Sequence, residues 1–145
     1  MTAYTTSMRL RIDWSEVDSF GHINNLAIMK YIQTARVGYL EEIGMMPLQE
    51  DTGIGPVMAS TSCQFKKQLY YPGKVVVCST VGPIKNTSFQ MRHAVFNDAD
   101  ELIAEAHDVI VMFNFSRKAK HPVPEIYRER IEAIERGKGS PQVQS

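Results

Sequence analysis

An α+β domain in which a five-stranded antiparallel sheet curls around one long apolar helix is what this sequence predicts. Three observations carry the prediction. A period-two segment opens the chain, a helix-period apolar segment follows it, and four strand-like runs with hairpin-length connections complete it.

Taken in order, Thr6 to Trp14 alternates Met8, Leu10, Ile12 and Trp14 against Ser7, Arg9, Arg11 and Asp13, which reads as a half-buried strand. Asn25 to Ile43 places Ile28, Ile32, Ala35, Tyr39 and Ile43 at steps of three and four. Met29, Tyr31, Val37 and Leu40 widen that face into a helix buried on most sides, with a narrow polar stripe at Lys30, Gln33, Thr34 and Glu41. Gly38 within it costs up to ~1 kcal/mol relative to Ala, a sign of close backbone approach to a neighbour. Residues 48–56 read as a loop. Val57 to Leu69 is the second strand, closed by Tyr71-Pro72-Gly73. Lys74 to Ile84, Ser88 to Phe96 and Glu101 to Phe115 follow, and short connections predict antiparallel neighbours in sequence order. Pro124 to Arg136 reads as a terminal helix, so residues 1–136 form one domain and 137–145 a disordered tail. A single sheet leaves open edges, which predicts dimerisation by edge pairing.

A chain of 145 residues with 43% apolar content suits one domain with a real core. Lys plus Arg and Asp plus Glu number 16 each, so no overall field draws the protein to nucleic acid or to an anionic membrane. The polar start, Met1 to Ser7, carries no signal-peptide core, and no run approaches the ~18 apolar residues of a membrane span. The expectation is a soluble, cytoplasmic protein. Cys63 and Cys78 sit far apart in strand-like runs without partners at metal-ligand spacing, which predicts buried thiols, with no disulfide and no metal site.

The most informative segment is Trp14 to Asn25, where Asp18, His22, Asn24 and Asn25 gather at the predicted helix mouth. Unpaired N–H groups at a helix N-terminus polarise a carbonyl oxygen set there, and a neighbouring carboxylate then attacks that carbonyl or activates water. Other readings stand beside this one. Asp18 and Asn24 also suit a turn and an N-cap, and His22 suits a helix-entry turn. His93 and His107 would face each other across the sheet or serve as satisfied sheet histidines. Met29, Met45, Met46 and Met58 would line an acyl tunnel or fill the core.

Asp18-Ser19-Phe20-Gly21, then His22-Ile23-Asn24-Asn25, a helix bearing Tyr31 and Ala35-Arg36, and Tyr70-Tyr71-Pro72-Gly73 together resemble the hotdog-fold thioesterases. Within them the resemblance is to the 4-hydroxybenzoyl-CoA and short-chain acyl-CoA thioesterase group, and it covers most of the chain. It implies that Asp18 is the catalytic nucleophile or general base and that Asn25, seven residues on, lends its backbone N–H to the thioester carbonyl. His22 stands where a role in orienting substrate or water is open, and Asn24 is either a cap or a substrate-contacting carboxamide. The pattern departs from relatives that carry His at the position of Asn25 or Glu at the position of Gln33. His22-Ile23-Asn24-Asn25 is also similar to plant-type acyl-acyl carrier protein thioesterases.

The resemblance further implies an acyl-CoA substrate, no cofactor, and a homodimer or homotetramer. Coenzyme A carries phosphates, for which Lys66-Lys67 and Arg117-Lys118 are the candidate basic pairs; solvated surface charge is the alternative for each. Two other functions remain open: hydrolysis of an acyl-acyl carrier protein, and a domain that binds acyl thioesters without cleaving them.

Overall fold

Residues 4–47 and 52–137 are described by the computed structural model. In chain order the elements are β1 (Thr6–Arg11), a short 3-10 helix (Trp14–Glu16), α1 (Asn25–Glu42), β2 (Ile54–Phe65), β3 (Lys74–Ile84), β4 (Ser88–Phe96), β5 (Leu102–Asn114), β6 (Ala119–Lys120) and α2 (Glu125–Arg136). Where residues with strong β preference run between turn formers, as in β3 and β4, the bounds fall where the sequence places them. Most of the predicted tail and residues 48–51 of the predicted loop lie outside the described residues.

β1 stops three residues short of its predicted end. The Asp13 carboxylate accepts from the Ser15 N–H, while Glu16 accepts from the Asp13 N–H, a capping box that turns the chain into the 3-10 helix. Trp14 therefore leaves the strand and is 70% exposed, whereas Ile12 stays buried.

Two features of the sheet correct the sequence reading. The sheet has six strands, because Asn114 Oδ1 accepts from the N–H groups of Ser116 and Arg117 and folds the chain back, so that Ala119–Lys120 pairs with β5. The strand order is β1-β3-β4-β5-β2, so β2 lies across the sheet from β3 and pairs with β5, while β1 pairs with β3. Burial decides this. β3 buries Val75, Val77, Cys78, Ser79 and Thr80 on its two faces, as a central strand must. β2 is mostly exposed and contains Pro56, which an edge strand tolerates because it can place a missing donor toward solvent.

α1 lies across β1, β3 and β4 and buries Ala27, Ile28, Tyr31, Ile32, Ala35, Tyr39 and Leu40. Its close approach at Gly38 is to β1: a methyl group added there would lie 2.7 Å from Met8 Cε. The helix is less enclosed than its sequence predicts. Leu26 is 75% exposed, and Met29, with Met58 and Phe65 of β2, is also open to solvent, because α1 does not cover β2.

The core divides into two apolar clusters separated by a polar layer. One cluster joins the first half of α1 to Val75, Val77, Val95 and Ile103; the other joins its second half and α2 to Phe89, Met91, Ile110 and Met112. Between them lies Asp108, wholly buried. It accepts from Arg36 Nε at 2.8 Å, Thr61 Oγ1 at 2.7 Å and His93 Nε2 at 2.8 Å. With Asp108 ionised, His93 Nε2 is the donor to it, and Nδ1 shares a 2.7 Å hydrogen bond with Ser79 Oγ. Burial pushes the Asp108 carboxyl upward, but the bonds from His93, Arg36 and Thr61 outweigh it and hold the group below the usual carboxylate range.

Asp108→Asn would leave Arg36 buried beside a neutral amide and is expected to destabilise the fold by about 3–5 kcal/mol in urea unfolding. Because the folded-state pKa is lowered, the wild-type contribution is complete above the unfolded value near ~3.9 and is lost as pH falls below it. The stability difference between wild type and Asp108→Asn should therefore narrow only below about pH 4.

Candidate functional site

Asp18 to His22 forms a tight hairpin loop closed by the Val17–Ile23 bridge. The Asp18 N–H donates to the His22 carbonyl at 2.7 Å, and the Gly21 N–H donates to the Asp18 carbonyl at 3.1 Å. Gly21 has φ +87°, the left-handed residue that ends this kind of three-residue loop, so Asp-x-x-Gly is here a turn specification. Asp18 Oδ1 accepts from the N–H groups of Phe20 and His22 at 2.9 and 3.1 Å. The other carboxylate oxygen has no partner among the described residues. Thus the turn role of Asp18 is real, and one oxygen is left over from it.

Asn24 caps α1. Its Oδ1 accepts from the Ala27 N–H at 2.8 Å, and its Nδ2 donates to the Glu16 carbonyl at 3.2 Å. The Asn24 N–H donates to the same carbonyl at 3.0 Å. The N–H groups of Asn25 and Leu26, at the first two helical positions, have no acceptor among the described residues, and both residues are exposed. His22 packs its ring edge-on against Tyr70, with centroids 5.2 Å apart.

A cleft of about 230 Å³ opens beside this junction, lined by Ile23, Asn25 and Ile28 on one side and by residues 65–69, including Lys66 and Lys67, on the other. The Ile23 N–H donates to the Leu69 carbonyl and ties the two walls together. Asp18, His22, Asn24 and Asn25 are therefore gathered at one hairpin-to-helix junction, and Asn25 shares a cleft with Lys66 and Lys67. Both lysines meet surface carboxylates, Lys66 with Glu105 and Lys67 with Glu101, in exposed pairs of little energetic weight. Arg117 and Lys118 lie past the other end of β5, a strand of 13 residues, roughly 40 Å away.

Two residues to which the sequence assigns no role at the site hold this junction. Tyr31 of α1 donates to Glu16 Oε1 at 2.5 Å, and Glu16 also supplies the carbonyl that Asn24 grips. The Asp13-x-x-Glu16 spacing is the available signal for Glu16, but Tyr31 sits fifteen residues beyond it.

Most of the remaining candidates resolve as packing. His93 and His107 point to opposite faces of the sheet, since Arg92 rather than His93 is paired with His107; each is satisfied, His107 by Gln90 Oε1 at 2.7 Å. Ser79, His93 and Asp108 make a serine-histidine-aspartate sequence of contacts, but Ser79 and His93 are 2% and 0% exposed, so no substrate atom reaches them. Burial raises the Cys63 and Cys78 thiols, with Asp108 adding to the effect at Cys63, which keeps both protonated. Met45 is core and Met46 packs against it, while Met29 and Met58 are open. Among the described residues no group of three or more His, Cys, Asp or Glu side chains is placed to hold a metal ion, and no helix is long and apolar enough to cross a membrane.

The chain belongs to the thioesterase-like superfamily, whose family model matches residues 12–131. Among solved structures, a thioesterase from Thermus thermophilus complexed with coenzyme A and Zn is 28% identical, covering 97% of this chain and 99% of that one, with a TM-score of 0.80. The DHNA-CoA thioesterase of Staphylococcus aureus, 17% identical over 96% of each chain with a TM-score of 0.78, shares the fold. Uncharacterized protein YsmA of Bacillus subtilis is 29% identical over 68 residues, 47% of this chain; the match spans 45% of that curated relative.

Cap preference alone makes Asn24→Asp neutral. Here it would set a carboxylate oxygen against the Glu16 carbonyl in place of the Nδ2 donor, and a loss of about 1–3 kcal/mol is expected from thermal or urea unfolding.

Proposed function

We propose that this protein hydrolyses an acyl- or aroyl-CoA thioester to the free acid and coenzyme A, with Asp18 as nucleophile or general base. The observation that carries the reading is the pair of unpaired N–H groups, Asn25 and Leu26, at the mouth of α1, in the same hairpin-to-helix junction as a carboxylate with one oxygen to spare. A thioester carbonyl oxygen set against those donors gains negative charge as its carbon is attacked, and such a contact contributes about 3 kcal/mol in other enzymes. In the general-base route Asp18 takes a proton from the attacking water. In the nucleophilic route its oxygen forms a mixed anhydride that water then cleaves. Either way the C–S bond breaks and the thiolate departs without much acid assistance, since a thiol of this kind has a pKa of about 8.5.

His22 and Asn24 act through the junction, His22 against Tyr70 and Asn24 as the cap. Lys66 and Lys67 line the cleft and are proposed to meet the coenzyme phosphates by exchanging their weak surface pairs for phosphate. A coenzyme-bound relative supports that substrate class. Arg117 and Lys118 serve the same cleft only if a second copy brings them to it. We propose such a homodimer, or a homotetramer built from it: β2 is an edge strand with Met58 and Phe65 exposed, and Leu26 and Met29 of α1 are exposed as well.

Thiol release should be followed with a panel of acyl-CoA and aroyl-CoA substrates. Asp18→Asn is expected to lose at least ~100-fold in turnover with the fold retained, whereas Gln33→Ala, on an exposed position of α1, should cost less. Undiminished turnover in Asp18→Asn would remove Asp18 from the chemistry. Thiol release from an acyl-carrier protein but not from CoA would move the substrate class, and release from neither would leave a binding domain.

A further inference from the structure

We infer that Glu16 and Tyr31 form a clamp that sets the Asp18 hairpin against the first turn of α1, and so act as positioning residues for the hydrolysis proposed above. Glu16 is bonded at both ends. Its Oε1 accepts from the Tyr31 hydroxyl at 2.5 Å and from the Asp13 N–H at 3.0 Å. Its carbonyl accepts from the Asn24 N–H at 3.0 Å and from Asn24 Nδ2 at 3.2 Å.

Tyr31 follows the cap Asn24 by seven residues, close to two full turns, so both lie on one face of α1, about 10 Å apart along the axis. A tyrosine on a helix leans toward the N-terminus, which brings its hydroxyl back to Glu16. The helix is thereby held to the preceding segment at two separated points. One point of attachment leaves a pivot, and a second removes it. Glu16 is two residues before Asp18, and the intervening Val17 is bridged to Ile23, so the same clamp carries the hairpin.

Tyr31 is 5% exposed and the Glu16 carboxylate is taken up by Tyr31 and the Asp13 N–H, so they act through Asp18 and the Asn25 and Leu26 N–H groups without touching substrate. Burial, reinforced by Glu16, raises the Tyr31 hydroxyl and keeps it a donor. Removing that hydroxyl frees the pivot while leaving the apolar ring in the core.

Tyr31→Phe is expected to lower kcat about 10- to 100-fold on the best thioester with KM within about twofold, because misplacement of the reacting groups is felt in the transition state. Glu16→Gln keeps an oxygen for both donors and should retain most of the wild-type kcat, whereas Glu16→Ala should fall at least as far as Tyr31→Phe. Amide hydrogen exchange reads the clamp without any activity: exchange at Asp18, Ile23 and Asn24, each hydrogen-bonded in wild type, should quicken in Tyr31→Phe while β4 is unchanged. Unchanged kcat and exchange in Tyr31→Phe overturn the clamp. So does faster exchange throughout α1 and the sheet with no rescue by Glu16→Gln, since that marks general destabilisation. A wild type that releases no thiol from any thioester ends the functional reading instead, and the exchange result then stands or falls by itself.

Discussion

A wholly buried carboxylate, Asp108, imposes the constraint on which the rest of the molecule depends. An ionised group at that depth is tolerated only with charge and hydrogen bonds supplied around it, and the sources lie far apart in the chain. Arg36 comes from α1, Thr61 from β2, and His93 from β4, with Ser79 of β3 behind His93. The apolar packing on either side is non-directional and would tolerate small adjustments of helix or strand. The polar layer would not, because a slip strands Asp108 or Arg36 without its partner. One carboxylate therefore couples the register of four strands to the position of the helix.

That coupling reaches the candidate site through the rigidity of α1. Arg36 stands eleven residues from Asn25, about three turns, so anchoring the guanidinium on the sheet fixes where the helix begins. At that end, apolar contacts from Ile23 and Ile28 and the Ile23–Leu69 hydrogen bond hold the junction to the rest of the core. Glu16 then joins the hairpin to both the cap and the second turn. Exposed donors at a helix start are commonplace; here they follow directly on a hairpin whose turn has already oriented the Asp18 carboxylate.

Much of the local structure is legible in the sequence. Strand limits at β3 and β4 follow from strand-forming runs, Val-rich in β3, punctuated by Pro, Gly and Asn, and the apolar face of α1 follows from its three-and-four spacing. Of the site, Asp18 and Asn24 are legible, since a turn former and a cap act on backbone groups within four residues. The role of Glu16 is half legible: its capping box is local, but its bond to Tyr31 depends on how the helix folds back over the 3-10 turn. Alternation alone assigns Trp14 to β1, and the Asp13 cap overrides that pattern.

Other features lie beyond any local reading. Asp108 looks like an ordinary polar residue in an alternating strand, and only the arrival of Arg36, seventy-two residues away, makes its burial possible. Likewise, the order β1-β3-β4-β5-β2 is set by which strands the helix covers, and the two basic pairs are assigned to opposite ends of β5 by the same pairing. By itself the sequence determined five of the six strands and both α-helices, the turn at Asp18 and the cap at Asn24, because backbone preferences and hydrogen bonds over a few residues suffice for those. The tertiary structure alone decided strand order, the burial of the charged layer and the company that Asn25 keeps, because these minimise the exposure of apolar surface and unpaired charge over the whole chain at once.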